Sequence, residues 1–247
     1  MELNFAADYD FVGVVNELEA FHADVDQRAQ RGDHEKDIYQ PSRYLDTLRH
    51  LHVHQGCVLD YIPDLSDNGS PQLYVRPADS EALVSRSEFE SSRRDGKFAN
   101  MTDYMVYLDR AGAFPDWPSM IHPDDTPESY FELALLARVG GRCLLRWHAG
   151  YEAVKVFTLA EQVGRLGNDL ERSEFEIQLP DDVLKAALSL DFMPKVNGLK
   201  SAVRVRFITF SNWAGFQRHT ALIGGRSPFT LKESSEDLVP FSCGIVF

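Results

Sequence analysis

The chain has 247 residues, 44% hydrophobic and 26% charged, which suits one sizeable core or two small ones and is far from a disordered composition. A formal net charge of −13 opposes indiscriminate coating of nucleic acid, so nucleic acid is disfavoured as a partner. No run approaches the roughly 18 apolar residues of a membrane span, and the opening MELNFAADYD is acidic where a secretory leader is basic and then apolar, so a cytoplasmic setting without membrane contact is expected.

The first periodic element runs from about Asp8 to Arg31. Phe11, Val14, Val15, Leu18, Phe21 and Val25 recur at helical steps, Gly32 offers a stop, and Glu17, Glu19, Asp24 and Asp26 lie opposite as an acidic surface. Tyr44, Leu45, Leu48 and Leu51 predict a second helix over Ser42 to His54, closed at Gly56. Two β-rich runs, Cys57 to Ile62 and Gln72 to Arg76, flank DLSDNGSP and predict a hairpin with a long loop. That loop imitates the start of a calcium loop at Asp64, Ser66, Asn68 and Gly69, but Val75 stands where a bidentate Glu is required.

Helices are expected from Asp79 or Ser80 to Asp95, and from about Thr102 to just before Gly112. The segment AFPDWPSMIHPDDTP carries four prolines, which forbid a continuous helix, while Phe114, Trp117, Met120 and Ile121 favour a strap across the core. Thr126 and Pro127 form an N-cap and N1 pair opening a helix that stops at Gly140 and Gly141. Beyond it, hairpins are expected over Arg142 to Thr158 and over Ser201 to Ile223, with strands near Phe175 to Leu179 and Phe241 to Phe247 and a short helix from Asp181 to Leu190. Local hairpins predict an α+β fold: a helix-rich N-terminal half, and a mainly antiparallel sheet in the C-terminal half with helices packed against it. Residues 1–247 are read as one packed unit, with a possible division into 1–112 and 126–247.

The strongest physical signal is charge segregation. Between Asp191 and Glu233 lie 41 residues without a carboxylate, and seven of the 25 basic side chains fall there, leaving 18 basic against 38 acidic elsewhere. In AVRVRFITF, alternation places Val203, Val205, Phe207 and Thr209 on one face and Arg204, Arg206, Ile208 and Phe210 on the other, with the two guanidiniums roughly 7 Å apart along the strand. Arg218 and His219 on the returning strand, with Trp213 at the turn, extend this to an aromatic-framed basic face for a small anionic ligand or an acidic protein surface. The competing expectation is internal pairing with Glu152, Glu174 or Glu176.

Two other constellations carry chemistry. His50 and His54 in RHLHVHQG share one helical side and could ligate a metal, or all three histidines share one face of an extended chain; no further ligands are evident, so no metal and no cofactor is expected. His148 and Glu152 flank a tight turn and are the candidates for acid/base catalysis, while His122, Asp124 and Asp125 form a smaller cluster in which the aspartates suit helix capping. GxSxG, GxGxxG and CxxC are all absent, and Cys57, Cys143 and Cys243 read as reduced. The leading functional expectation is a noncatalytic interaction or regulatory module. The alternative is a hydrolase acting on a phosphate- or carboxylate-bearing substrate through its histidines.

Overall fold

A computed structural model describes residues 1–32, 39–62, 71–80, 91, 94–96, 103, 106, 112–114, 116–143, 153–171, 177–224 and 229–244. The fold is α+β, with helices and a mainly antiparallel sheet in the C-terminal half. The expected helices over 79–95 and 102–112 fall largely outside the described residues, as do the 64–69 loop, the 149–150 turn and Phe175.

Helix α1 spans Phe11–Gln30, and its N-terminus is fixed by Asp10, whose carboxylate accepts the Gly13 N–H at 2.8 Å. Its stripe Val15, Leu18, Phe21 and Val25 is buried as the spacing predicts. The next helix departs from expectation. A 3-10 turn at Pro41–Arg43 leads into α2, Tyr44–Thr47, and the chain then extends into strand β2, Leu51–Val53. Leu48 and Leu51 are both buried, so their spacing satisfies either geometry. Pairing of β2 with β5, Ile121–Pro123, decides it, because that ladder and the buried carboxylate of Glu132 take up the backbone donors a helix would have used.

Strands β3 (Cys57–Ile62) and β4 (Gln72–Pro77) form the expected hairpin. The proline-rich strap holds a 3-10 turn at Trp117–Met120 and then β5; Ile121 is fully buried, but Phe114 remains 40% exposed because only its backbone is held, in a bridge to Val75. Helix α3, Pro127–Val139, opens on a capping box in which Thr126 and Ser129 satisfy one another's backbone N–H.

The main sheet runs β1-β7-β8-β9-β10, with β6 (Lys155–Phe157) pairing on the same edge of β8 as β7. Its strands are β1 (Glu2–Leu3), β7 (Lys195–Gly198), β8 (Ala202–Ser211), β9 (Gly215–Gly224) and β10 (Thr230–Val239). The expected 201–223 hairpin is present as β8 and β9. The strand expected at Leu179 and that at Phe241 are not formed at their described residues, whereas β10 is formed by TLKESSEDLV, whose polarity hides it from a search for apolar alternation. A further helix α4, Glu161–Glu171, occupies GRLGND despite two glycines, and α5 covers Asp181–Leu188.

One face of this sheet presents Val196, Val205, Phe207, Ala221 and Ile223 to a core shared with α1 and α3, where the Phe131 and Phe207 rings meet edge to face at 5.9 Å. On the other face Phe157, Ile208, Phe210 and Phe216 pack under α4 and α5. These two helices cover one end, and among the described residues no apolar cluster packs over the remaining half of that face. Among the described residues no helix is long and apolar enough to cross a membrane.

Candidate functional site

Strand register turns the open half-face into rows, since residues paired across antiparallel strands share a face at about 4.8 Å spacing. The outer row places Asn197, Arg204, Leu222 and Lys232 side by side on β7, β8, β9 and β10. The next row is Lys195, Arg206, Thr220 and Ser234. The third, Ile208, Arg218 and Glu236, begins the part covered by α4 and α5. Alternation thus delivers Arg204 and Arg206 to the same face, as the sequence predicts.

The cations differ in how they are held. Lys195 meets Asp191 at 2.6 Å, and Arg218 donates to Glu236 at 2.8 Å. Among the described residues no carboxylate pairs with Arg204 or Arg206, and the one carboxylate in register with their rows, Glu2 of β1, stands two strands away from Arg204 beyond Asn197. The Arg206 Nε and the Asn197 Nδ2 are both buried without a hydrogen-bond acceptor. Buried donors are nearly always satisfied, which makes these two the exceptions on this face.

Two expected members of this face are elsewhere. His219 follows Arg218 on β9 and therefore points through the sheet to the core, where it is 1% exposed, lies against Phe207 and approaches Glu233 at 3.0 Å without aligned hydrogen-bond geometry. Trp213 sits in the β8–β9 turn, at the end of the hairpin away from Arg204, with Ile208 and Phe210 under α4 and α5 between them. The basic rows are consequently not framed by Trp213. His148, Glu152, Glu174 and Glu176 lie outside the described residues. Asn197 was missed, although the polar–apolar–polar run Lys195-Val196-Asn197 just before β8 carries a strand signal.

A second constellation is built on the β2–β5 ribbon. His52 pairs with His122 in register, and β2 being extended, His50, His52 and His54 share one face instead of a helical side. Asp124 does not cap a helix: its carboxylate lies 2.9 Å from His52 Nε2 and 3.4 Å from His50 Nδ1. His54 Nδ1 is 3.1 Å from His122 Nε2. Asp125, at φ 60°, instead accepts the Tyr130 hydroxyl at 2.7 Å.

Beneath the ribbon Glu132 of α3 is 1% exposed and accepts the His50 N–H at 2.8 Å and the Tyr9 hydroxyl at 3.1 Å. Burial raises its pKa above the usual carboxylate range, against the lowering effect of these donors and of His50. Burial and the Glu132 carboxylate likewise raise the Tyr9 phenol. Among the described residues no three histidine, cysteine or carboxylate groups already stand in metal-binding geometry. Neither Glu132 nor the His54–His122 contact was legible, because each joins segments about 70 or more residues apart.

Comparison with protein-family models returns no matching family, and comparisons with curated proteins and with solved structures return no significant match.

Proposed function

We propose that this chain is a noncatalytic recognition module that takes an anionic group, borne by a small ligand or an acidic protein surface, on the open rows of its main sheet. The observation that supports the reading best is the pair of orphaned donors, Arg206 Nε and Asn197 Nδ2, beside an Arg204 with no carboxylate partner among the described residues. An incoming phosphate or carboxylate oxygen supplies the missing acceptors, and guanidinium forks suit such oxygens. Glu17 and Glu19 on the exposed face of α1 keep the acidic surface on another element, so the molecule presents opposite charges from separate elements.

Side-chain NMR of the arginine Nε–H groups tests this directly, with inorganic tripolyphosphate and poly-glutamate as probes. The Arg204 and Arg206 signals should shift on titration, and the shift should weaken with salt, since screening limits exposed charges to about 8 Å at physiological ionic strength. Arg204→Glu with Arg206→Glu should abolish binding while the melt stays cooperative. Signals unmoved by either probe would remove the reading.

A hydrolytic reading is favoured by a different observation: His52, held by Asp124, lines a cleft of about 510 Å³ that Arg49 and Cys57 also line. Turnover of p-nitrophenyl phosphate or acetate that disappears in His52→Ala would support it, and no turnover of either would eliminate it.

A further inference from the structure

We propose that His54 and His122 form a surface chelate for a divalent transition-metal ion that favours imidazole nitrogen, such as zinc or nickel. This rests on the ribbon alone and is independent of the anion-binding rows. A tetrahedral ion about 2.0–2.1 Å from each of two imidazole nitrogens holds them about 3.4 Å apart. His54 Nδ1 and His122 Nε2 stand at 3.1 Å, with the rings tilted by 39° and their centroids 5.3 Å apart. A shift of a few tenths of an ångström opens that gap to the chelate bite, and the side chains are free to make it: His54 is exposed and His122 half-buried.

The same contact in the metal-free protein is a hydrogen bond between the two imidazoles, which requires one ring to donate and the other to accept. On uptake the donating ring carries its proton on its other nitrogen, so both facing nitrogens offer lone pairs and one exposed hydrogen bond is exchanged for two coordinate bonds. The strands fix the pair from below. The His54 N–H donates to Met120 O at 2.9 Å, and His122 lies in register with His52, so the two imidazoles are carried by a paired ribbon. Imidazole is suited to zinc, copper and nickel and poorly suited to calcium or magnesium, which sets the class of ion. With two protein ligands, water fills the remaining positions, and the affinity belongs to an accessible surface site instead of a closed structural cage.

The experiment is calorimetric titration of the full chain, free of any affinity tag, with zinc chloride and separately with nickel chloride. One saturating equivalent is expected. His54→Ala and His122→Ala should each weaken it by at least about tenfold, the smallest loss seen when even an outer partner of a metal ligand is removed. His50→Ala, at the Asp124 end of the ribbon, should bind as the unaltered chain does. None of the three altered side chains is buried, and circular dichroism melts confirm that the variants fold. As a readout free of substitutions, nickel should broaden the ring resonances of His54 and His122 before those of His22 and His219. No saturable uptake of either ion, uptake unchanged in both variants, or loss in His50→Ala as large as in His54→Ala would each overturn the assignment.

Discussion

The open rows of the main sheet and the β2–β5 ribbon both gather nitrogen donors on one face, but they differ in what those donors hold. On the ribbon every histidine has a partner: Asp124 engages His50 and His52, and His54 meets His122. On the rows Arg206 and Asn197 carry buried donors with no acceptor. A satisfied array must give up an existing contact before it binds anything, whereas an unsatisfied one gains bonds outright, because its desolvation cost is already borne by the fold. This difference is what the two proposals rest on: an acceptor from outside for the rows, and an ion taking the facing ring nitrogens for the ribbon.

The largest blow to both regions at once comes through Phe131. This fully buried ring touches Phe207 under the sheet and Phe5 and Phe11 on the side of Tyr9 and the ribbon. Phe131→Ala is expected to cost about 3–5 kcal/mol in denaturant unfolding. A loss below about 1 kcal/mol, the scale of a surface change, would mean that the two regions do not share this core.

Acid is expected to act on the ribbon's foundation. His22 on α1 lies 2.8 Å from the Tyr44 hydroxyl of α2, and because that hydroxyl donates to Gly140 O, His22 Nε2 must carry the proton and donate. Burial lowers its pKa from 6.5 to about 4. A depressed folded pKa means that the unfolded chain binds more protons between those values, so stability is fully present above about pH 6.5 and is lost as pH falls toward 4. The loss is on the order of 3 kcal/mol. Glu132 works the other way, since its raised pKa favours the folded state below the ordinary carboxylate value and withdraws that contribution as pH rises. Unfolding free energies from pH 4 to 8 should show a shallower acid loss in His22→Gln; an identical slope would contradict the assignment.

Smaller effects separate the two kinds of donor. Arg206→Met deletes an orphaned donor and keeps the stem, so it should be neutral or stabilising by up to about 1 kcal/mol. A loss of about 2 kcal/mol or more would show instead that an internal acceptor was removed. Smallest of all, His52→Ala should cost about 0–1 kcal/mol, because the His52–Asp124 pair is 63% and 37% exposed in its side chains and such pairs are weak. Equilibrium melts of both variants in parallel provide the comparison.

How far sequence alone reaches follows from the same two regions. Arg204 and Arg206 share a face because a strand alternates every residue, and the same rule puts His219 on the face opposite Arg218, so these two neighbours cannot serve one surface. Helix α1 and the Thr126 cap were legible because their signals lie within a few residues. The ribbon was not: RHLHVHQG is compatible with a helix or a strand, and only its pairing with Ile121–Pro123 decides between them. Likewise the buried carboxylate beneath it, Glu132, looks in sequence like any exposed helical glutamate. Strand β10 is hidden because seven of its ten residues are polar while its ladder to β9 is made by backbone groups.

The pairing of β1 with β7 also sets an order of events in time. Glu2 and Leu3 find their partners only at Asn197 and Val196. During synthesis at about 5–20 residues per second, these two residues wait roughly 10–40 s before their neighbouring strand exists. Closure of the sheet's outer edge is thus a late step, and α1, whose stripe meets the same core, must be held in the meantime by more local contacts such as those with α2. Joining segments so distant in the chain is slow on topological grounds. Residues made well before their partners are thus among the last to be locked, and until then the outer edge of β7 stands open to any competing strand.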